Sequence, residues 1–347
     1  MPLKRRAKNI ILFVGDGMGV STLTAARIHH GQISGADGVS MVTTMDRLPY
    51  TALVKAYSHD AQVADSAPSA TALLAGVKSR NGVIGIGPEA TPGDCASGTG
   101  HELPSLMTIG QDAGKATGVV TTTGITHATP AAAYAHSVDR DWESDADLPA
   151  PAQTAGCKDI ARQLIESQTG SNLRVILGGG RSAFLSSAIP DPEYRDQKGS
   201  RADGRDLTRE WRQRTGGDYV WDQKGFSGLS RSTEEPVLGL FQPGHMQFDA
   251  DRAKDRAGEP SLAEMTRFAI ARLQRDIDGF VLLVEGGRID HAHHAGNARR
   301  ALEDTIAFDE AIAAALELVD LKETLIVVTA DHSHTLTMSG YPARENS

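Results

Sequence analysis

The sequence predicts an α/β fold: a large, mostly parallel central sheet with helices on both faces. Two observations predict it. The apolar runs Ile10–Val14, Gly279–Val284 and Thr324–Thr329 are short and continuous, as strands buried on both faces are. Between them lie segments with helical spacing and capping residues, and strands that alternate with helices pair in parallel.

The elements follow in order. Ile10–Val14 stops at Gly15-Asp16-Gly17, where glycine on each side lets the backbone turn sharply and approach a ligand closely. Asp16 is therefore expected at the carboxyl end of a buried strand, where open α/β sheets place their sites. A solvated or capping aspartate in a strand-to-helix loop fits the same residues. Val20–Gly31 reads as a helix with a serine cap candidate and a terminal glycine. Asp65–Gly76, with its small residues, early proline and closing glycine, reads as a short helix. Ser66 at its start is either a plain N-cap, the commonest role of serine there, or a nucleophile facing free N–H groups and the positive end of the dipole.

Gly82–Gly100, which contains Cys95, reads as surface loop, and Leu103–Gly114 as helix. Gly118–Thr123 is a strand by its β-branched content, with polar residues just past its end and a short helix expected over Ala131–His136. Asp159–Ser167 is an amphipathic helix. Arg174–Leu177 is a strand closing in Gly178-Gly179-Gly180-Arg181, which lacks the Lys-Ser/Thr of a P-loop and reads as a tight turn. Residues 186–232 turn polar and broken, a surface excursion within one domain spanning 1–347. Ser261–Arg275 opens on a capping pattern of Ser261 and Glu264. A long amphipathic helix is expected from about Ala298 to Leu318.

Composition narrows the function classes. The 347 residues, 40% apolar and 23% charged, suit a globular protein with a sizeable core. A net charge of −9 without a long basic run argues against a nucleic-acid binder. No apolar stretch approaches membrane-spanning length. The start, Met1–Lys8, is basic, but the apolar run behind it ends at Asp16, too short for a signal peptide; a signal, if the protein is exported, is absent from this chain. The two cysteines, Cys95 and Cys157, read as free thiols as readily as a bridge.

Two further strand ends repeat the arrangement at Asp16. Gly279–Val284 runs into Glu285-Gly286-Gly287-Arg288-Ile289-Asp290-His291-Ala292-His293-His294, and Thr324–Thr329 into Ala330-Asp331-His332-Ser333-His334. Parallel strands bring Asp16, Thr129, Glu285, Asp290, His294, Asp331 and His332 to one edge. Crowded carboxylates repel, and burying them unpaired is costly. A metal cluster resolves this: imidazole with carboxylate suits zinc, and carboxylate, hydroxyl and water suit magnesium.

Val14-Gly15-Asp16-Gly17-Met18-Gly19, Asp65-Ser66-Ala67, Val284–His291 and Thr329–His334 together resemble the alkaline phosphatase family over nearly the whole chain. The resemblance implies a phosphomonoesterase working at alkaline pH through a phosphoserine. It implies two zinc ions, one on Asp290 and His294 and one on Asp16, Asp331 and His332, and a magnesium ion on Asp16, Thr129 and Glu285. Ser66 is then the nucleophile, and Arg140 grips phosphate, positioned by Asp65; the alternative for Arg140 is a surface ion pair with Asp139 or Asp141. His127 and His291 stand where other members carry aspartate and lysine, beside the metals, as neighbours and not ligands. His293 and His334 are expected to be non-ligands.

The same resemblance pairs Cys95 with Cys157, which places the protein in an oxidising compartment, periplasmic or extracellular. It makes a homodimer the expected assembly and small phosphate monoesters the partners. It also implies a chain that continues past Ser347 and brings a further histidine to the Asp290/His294 zinc. Gln242 stands where a calcium-binding acid is expected, so no calcium is expected there. Two other readings remain: a sulfatase or phosphodiesterase of the same superfamily, weakened by Ala70 where a sulfatase signature has arginine, and a catalytically impaired metal-binding fragment.

Overall fold

The computed structural model describes residues 6–343; the basic start Met1–Arg5 lies outside them. Seven strands form one sheet: β1 (Asn9–Gly15), β2 (Ala116–Gly124), β3 (Val175–Gly179), β4 (Asp218–Val220), β5 (Val237–Leu240), β6 (Phe280–Gly286) and β7 (Thr324–Ala330). Their order is β4-β5-β3-β2-β6-β1-β7, and every pairing is parallel. The sheet and its parallel pairing are as the strand-and-helix alternation predicts.

Side chains alternate across each strand and build two cores. Leu12, Val14, Val119, Ile176 and Leu283 face one way, against Ala67, Ala70 and Leu74 of the Ser66–Ala75 helix and Leu164 of the Ile160–Glu166 helix. Ile11, Phe13, Val120, Leu177 and Val284 face the other way, against Phe268 of the Leu262–Leu273 helix and Phe308 and Ile312 of the Ala298–Leu318 helix. Each fully buried side chain of this size is worth about 1.5–3 kcal/mol over leaving it in water. Two covered faces explain why these strands are apolar throughout, where a half-exposed strand would alternate; β7, expected to be buried on both faces, instead lies at the sheet edge and leaves Leu325 and Val327 exposed.

Local differences from the expected elements have local causes. The first helix is Val20–Ile33, with Gly19 as N-cap and no side-chain cap. Gly31 lies inside it, not at its end, and is glycine for another reason: a Cβ there would sit 2.4 Å from the Cα of Gly38. Ser105 caps a helix over Leu106–Asp112, so it starts beyond Pro104. The helix expected over Ala131–His136 occupies Ala128–Ala131, with Pro130 tolerated in its first turn. The Ser261/Glu264 capping box is present, with both bonds made. Within 186–232, the Leu207–Thr215 helix buries Trp211 and β4 joins the sheet edge beside β5. Buried Arg201 braces this segment, donating to both carboxylate oxygens of Asp159 (3.0 and 3.1 Å) and to Asp203. No helix among the described residues is long and apolar enough to cross a membrane.

Cys95 and Cys157 form a disulfide across 62 residues of sequence, beside the small cluster of Val83, Ile86, Val138 and Trp142. A loop of that length gives about 4 kcal/mol in the chain-entropy model. Cys157→Ser should lower unfolding free energy by about that much in urea titration, and reductant should have the same effect on the wild type and none on the variant.

Candidate functional site

Sheet order assembles the site. β1 lies between β6 and β7, with Gly15 level with Gly286 on one side and Ala330 on the other. Asp16, the Glu285–His294 stretch and Asp331-His332 thus leave three neighbouring strands at the same edge. Gly17 has φ +65°, and a Cβ on it would lie 2.6 Å from the His334 ring and 3.0 Å from Asp290 Oδ1. Glycine is needed there on both counts. Its N–H donates to Asp331 Oδ1 at 3.0 Å, tying the β1 turn to the β7 end.

Asp16 is fully buried. Its carboxyl is held well above the usual range, by burial first and then by Asp331, Asp290 and Glu285, with Arg140 opposing. Burial likewise pushes Glu285 up to about 7. One Glu285 oxygen accepts from Thr121 and, at 3.1 Å, from Thr123. The other, like Thr129 Oγ1 and His127 Nδ1, is a buried polar atom with no hydrogen-bond partner among the described residues. Buried acids with orphaned donor atoms are an arrangement that a cation completes.

Among the described residues, three groups have ligand atoms within 4.8 Å of one another: Asp290, His294 and His334; Asp16, Asp290 and His332; and Asp16, His127 and Glu285. Arg288–His294 is a helix, so Asp290 and His294, four apart, share a face, with His294 Nε2 3.5 Å from Asp290 Oδ2. His332 Nε2 lies 3.4 Å from Asp16 and 3.3 Å from Asp331. The mixed imidazole and carboxylate sets suit zinc, and the Asp16, Thr129 and Glu285 oxygens suit magnesium.

At Ser66 the structure places the helix cap elsewhere. Asp65, not Ser66, is the N-cap of the Ser66–Ala75 helix: its side chain accepts from Ala67 N–H at 2.7 Å. Ser66 is left as the first helical residue, and its Oγ lies 3.2 Å from Asp16 Oδ2 and 3.3 Å from His332 Nε2. Asp65 also receives Arg140 Nη1 at 3.0 Å, while Arg140 Nη2 donates to His127 Nε2 at 2.9 Å. Arg140 is thus turned inward by Asp65 and His127, and not paired with Asp139 or Asp141.

The structure also brings in residues that the sequence reading set aside or passed over. His334 Nε2 is 2.5 Å from Asp290 Oδ1, and its ring stacks on His293, which itself meets Thr22 Oγ1 at 2.9 Å. Thr121 and Thr123 hold Glu285 from β2. His245 lies just past β5, its ring 4.3 Å from His291 and 5.3 Å from His127. Its position after the apolar Val237–Leu240 run is the same strand-end signal that marked Asp16. Burial first, then the neighbouring His291, Arg288 and Arg140, push His245 down to about 3. Gln242 donates to Asp255 Oδ1 at 2.9 Å and accepts from Tyr194 at 3.2 Å.

A family model for alkaline phosphatase matches residues 7–347. The chain is 47% identical to the tissue-nonspecific alkaline phosphatase of Gallus gallus over 98% of its own length and 66% of that protein's. It is 47% identical to an alkaline phosphatase of Gadus morhua, covering 99% of this chain and 72% of the other. The chain therefore spans about two thirds of the length of these curated relatives. Among solved structures it resembles Thermus thermophilus alkaline phosphatase (TM-score 0.76, 32% identity, 96% of this chain and 61% of that one). It also resembles a variant of TAB5 alkaline phosphatase with bound magnesium (TM-score 0.70, 25% identity, 95% and 79%).

Glu259, buried beside this region with Asp255 near it, is pushed up to about 7, by burial first and then by that like charge. Its pKa is higher folded than unfolded, so the native state keeps the proton longer and stability falls as pH rises from about 4.5 to about 7. Glu259→Gln should remove that decline, at most about 3 kcal/mol, when urea unfolding is followed between pH 4 and 8.

Proposed function

The chain belongs to the alkaline phosphatase family, and from that premise we propose that it hydrolyses phosphate monoesters through a phosphoserine on Ser66. The observation that carries this reading is the freed Ser66 hydroxyl: Asp65 caps the helix in its place, and Oγ faces Asp16 and His332 with Arg140 held alongside.

Asp290 and His294 would hold one zinc, Asp16, Asp331 and His332 the second, and Asp16, Thr129 and Glu285 a magnesium. When bound, these ions neutralise the carboxylates, make a hydroxyl beside them a better nucleophile, and stabilise entering and leaving oxygens in an in-line displacement. Ser66 Oγ bonds to phosphorus as the ester oxygen leaves with the alcohol. Water then displaces Ser66 and releases inorganic phosphate. The phosphoryl group is carried at the first residue of a ten-residue helix, where backbone N–H groups and the dipole favour negative charge.

Arg140 orients the phosphate. Asp65 and His127 each take one of its N–H groups, which fixes the plane of the guanidinium and leaves other donors for phosphate oxygens. Asp65 thus serves twice, capping the helix that carries the nucleophile and aiming the arginine. The disulfide supports an oxidising location, periplasmic or extracellular. A homodimer belongs to the same reading.

Hydrolysis of p-nitrophenyl phosphate at alkaline pH, with zinc and magnesium present, should be lost by about a thousandfold or more in Ser66→Ala. Faster turnover of p-nitrophenyl sulfate would favour the sulfatase reading. Arg140→Lys keeps the charge but loses the fork, and should raise the competitive inhibition constant of inorganic phosphate by about tenfold.

A further inference from the structure

His127 is the residue through which the fold reaches Arg140 on the side opposite Asp65. A guanidinium only donates, so the 2.9 Å contact from Arg140 Nη2 makes His127 Nε2 the acceptor and puts its proton on Nδ1. No hydrogen bond holds the Nδ1 side. Besides Arg140, and beside the Asp16 and Glu285 oxygens, two other imidazoles pack against this ring: His291 at 5.2 Å and His245 at 5.3 Å, both edge to face.

Of these two, His245 is the better anchored to the sheet. Its Nδ1 accepts from the Gly124 N–H at the end of β2, at 3.0 Å. On one side of it, Gly180 N–H donates to Gly244 O at 2.5 Å; on the other, Met246 N–H donates to Thr122 O at 3.0 Å. The loop is thus fastened to the ends of β3 and β2, and a Cβ on Gly179 would come within 2.2 Å of Gly244 O. His291 sits in the Arg288–His294 helix and is held by Arg288 Nη1 on its Nδ1 at 2.9 Å.

We propose that His245 is a positioning residue for phosphate binding: anchored to Gly124, its ring holds His127 in place, and His127 in turn holds Arg140. This rests on the phosphatase reading for what Arg140 grips. His245 acts through the neighbouring ring.

The test is a double-mutant cycle on the zinc- and magnesium-loaded protein, with inorganic phosphate as competitive inhibitor of p-nitrophenyl phosphate hydrolysis. His245→Ala and the milder His245→Asn should each raise the phosphate inhibition constant about three- to tenfold, with KM rising more than kcat falls. In a His127→Ala background the same changes should add nothing, because the ring through which His245 acts is gone. Nitrogen-15 imidazole spectra of the wild type should show His127 as the Nδ1–H tautomer, and its signals should shift in both His245 variants. Unchanged phosphate inhibition, or effects at 245 and 127 that multiply independently, would overturn the proposal while leaving the phosphatase reading intact. A loaded wild type that neither hydrolyses the ester nor binds phosphate would overturn both.

Discussion

Asp16 is buried to zero exposure with Asp331, Asp290 and Glu285 as its charged neighbours. A protein interior holds such a group of acids only where protons or a compensating cation neutralise them. Much of the nearby structure follows from this one constraint. Gly17 has no side chain because the space beyond it belongs to Asp290 and His334. Thr121 and Thr123 turn their hydroxyls to Glu285, and Gly17 N–H turns to Asp331. Imidazoles, which bind metals when neutral, fill positions around the acids.

The sheet makes this concentration of charge tolerable. Its inner strands are apolar on both faces and bury two cores, so the strand ends can carry groups that cost stability. A parallel sheet also gathers ends from remote parts of the chain: Asp16 and Asp331 are 315 positions apart yet flank the same turn. A site built on such ends is rigid, and a preorganised site loses little on binding charge.

Arg140 is held by a second, smaller set of contacts. Asp65 stands between Ser66 and Arg140: one of its oxygens meets both Ala67 N–H and Arg140 Nη1, and the other accepts from Gly82 N–H. His127, His291 and His245 form the opposite wall, each with one nitrogen occupied by a donor that cannot accept. Asp65 and this wall hold the guanidinium from two sides.

Much of this was legible in the sequence, for physical reasons. Apolar runs of five or six residues ending in glycine and acid identify buried strands and the positions just past them, which is why Asp16, Glu285, Asp290, Asp331 and His332 stand out without any structure. Spacing of four places Asp290 and His294 on one helical face. Helix limits were legible wherever a side chain sets them, as at Ser261 and Glu264, and less so at Gly31, whose glycine answers to a distant backbone contact. Only the tertiary structure decided which neighbour each side chain meets. Ser66 reads as either cap or nucleophile until Asp65 is seen capping in its place, the surface-pair alternative for Arg140 falls only when Asp65 and His127 are seen to turn it inward, and nothing local to His334 or His245 names the partners they reach. Periodicity and strand ends are properties of a segment, which the sequence contains; contacts between residues tens or hundreds of positions apart depend on strand order and register, which no single segment encodes.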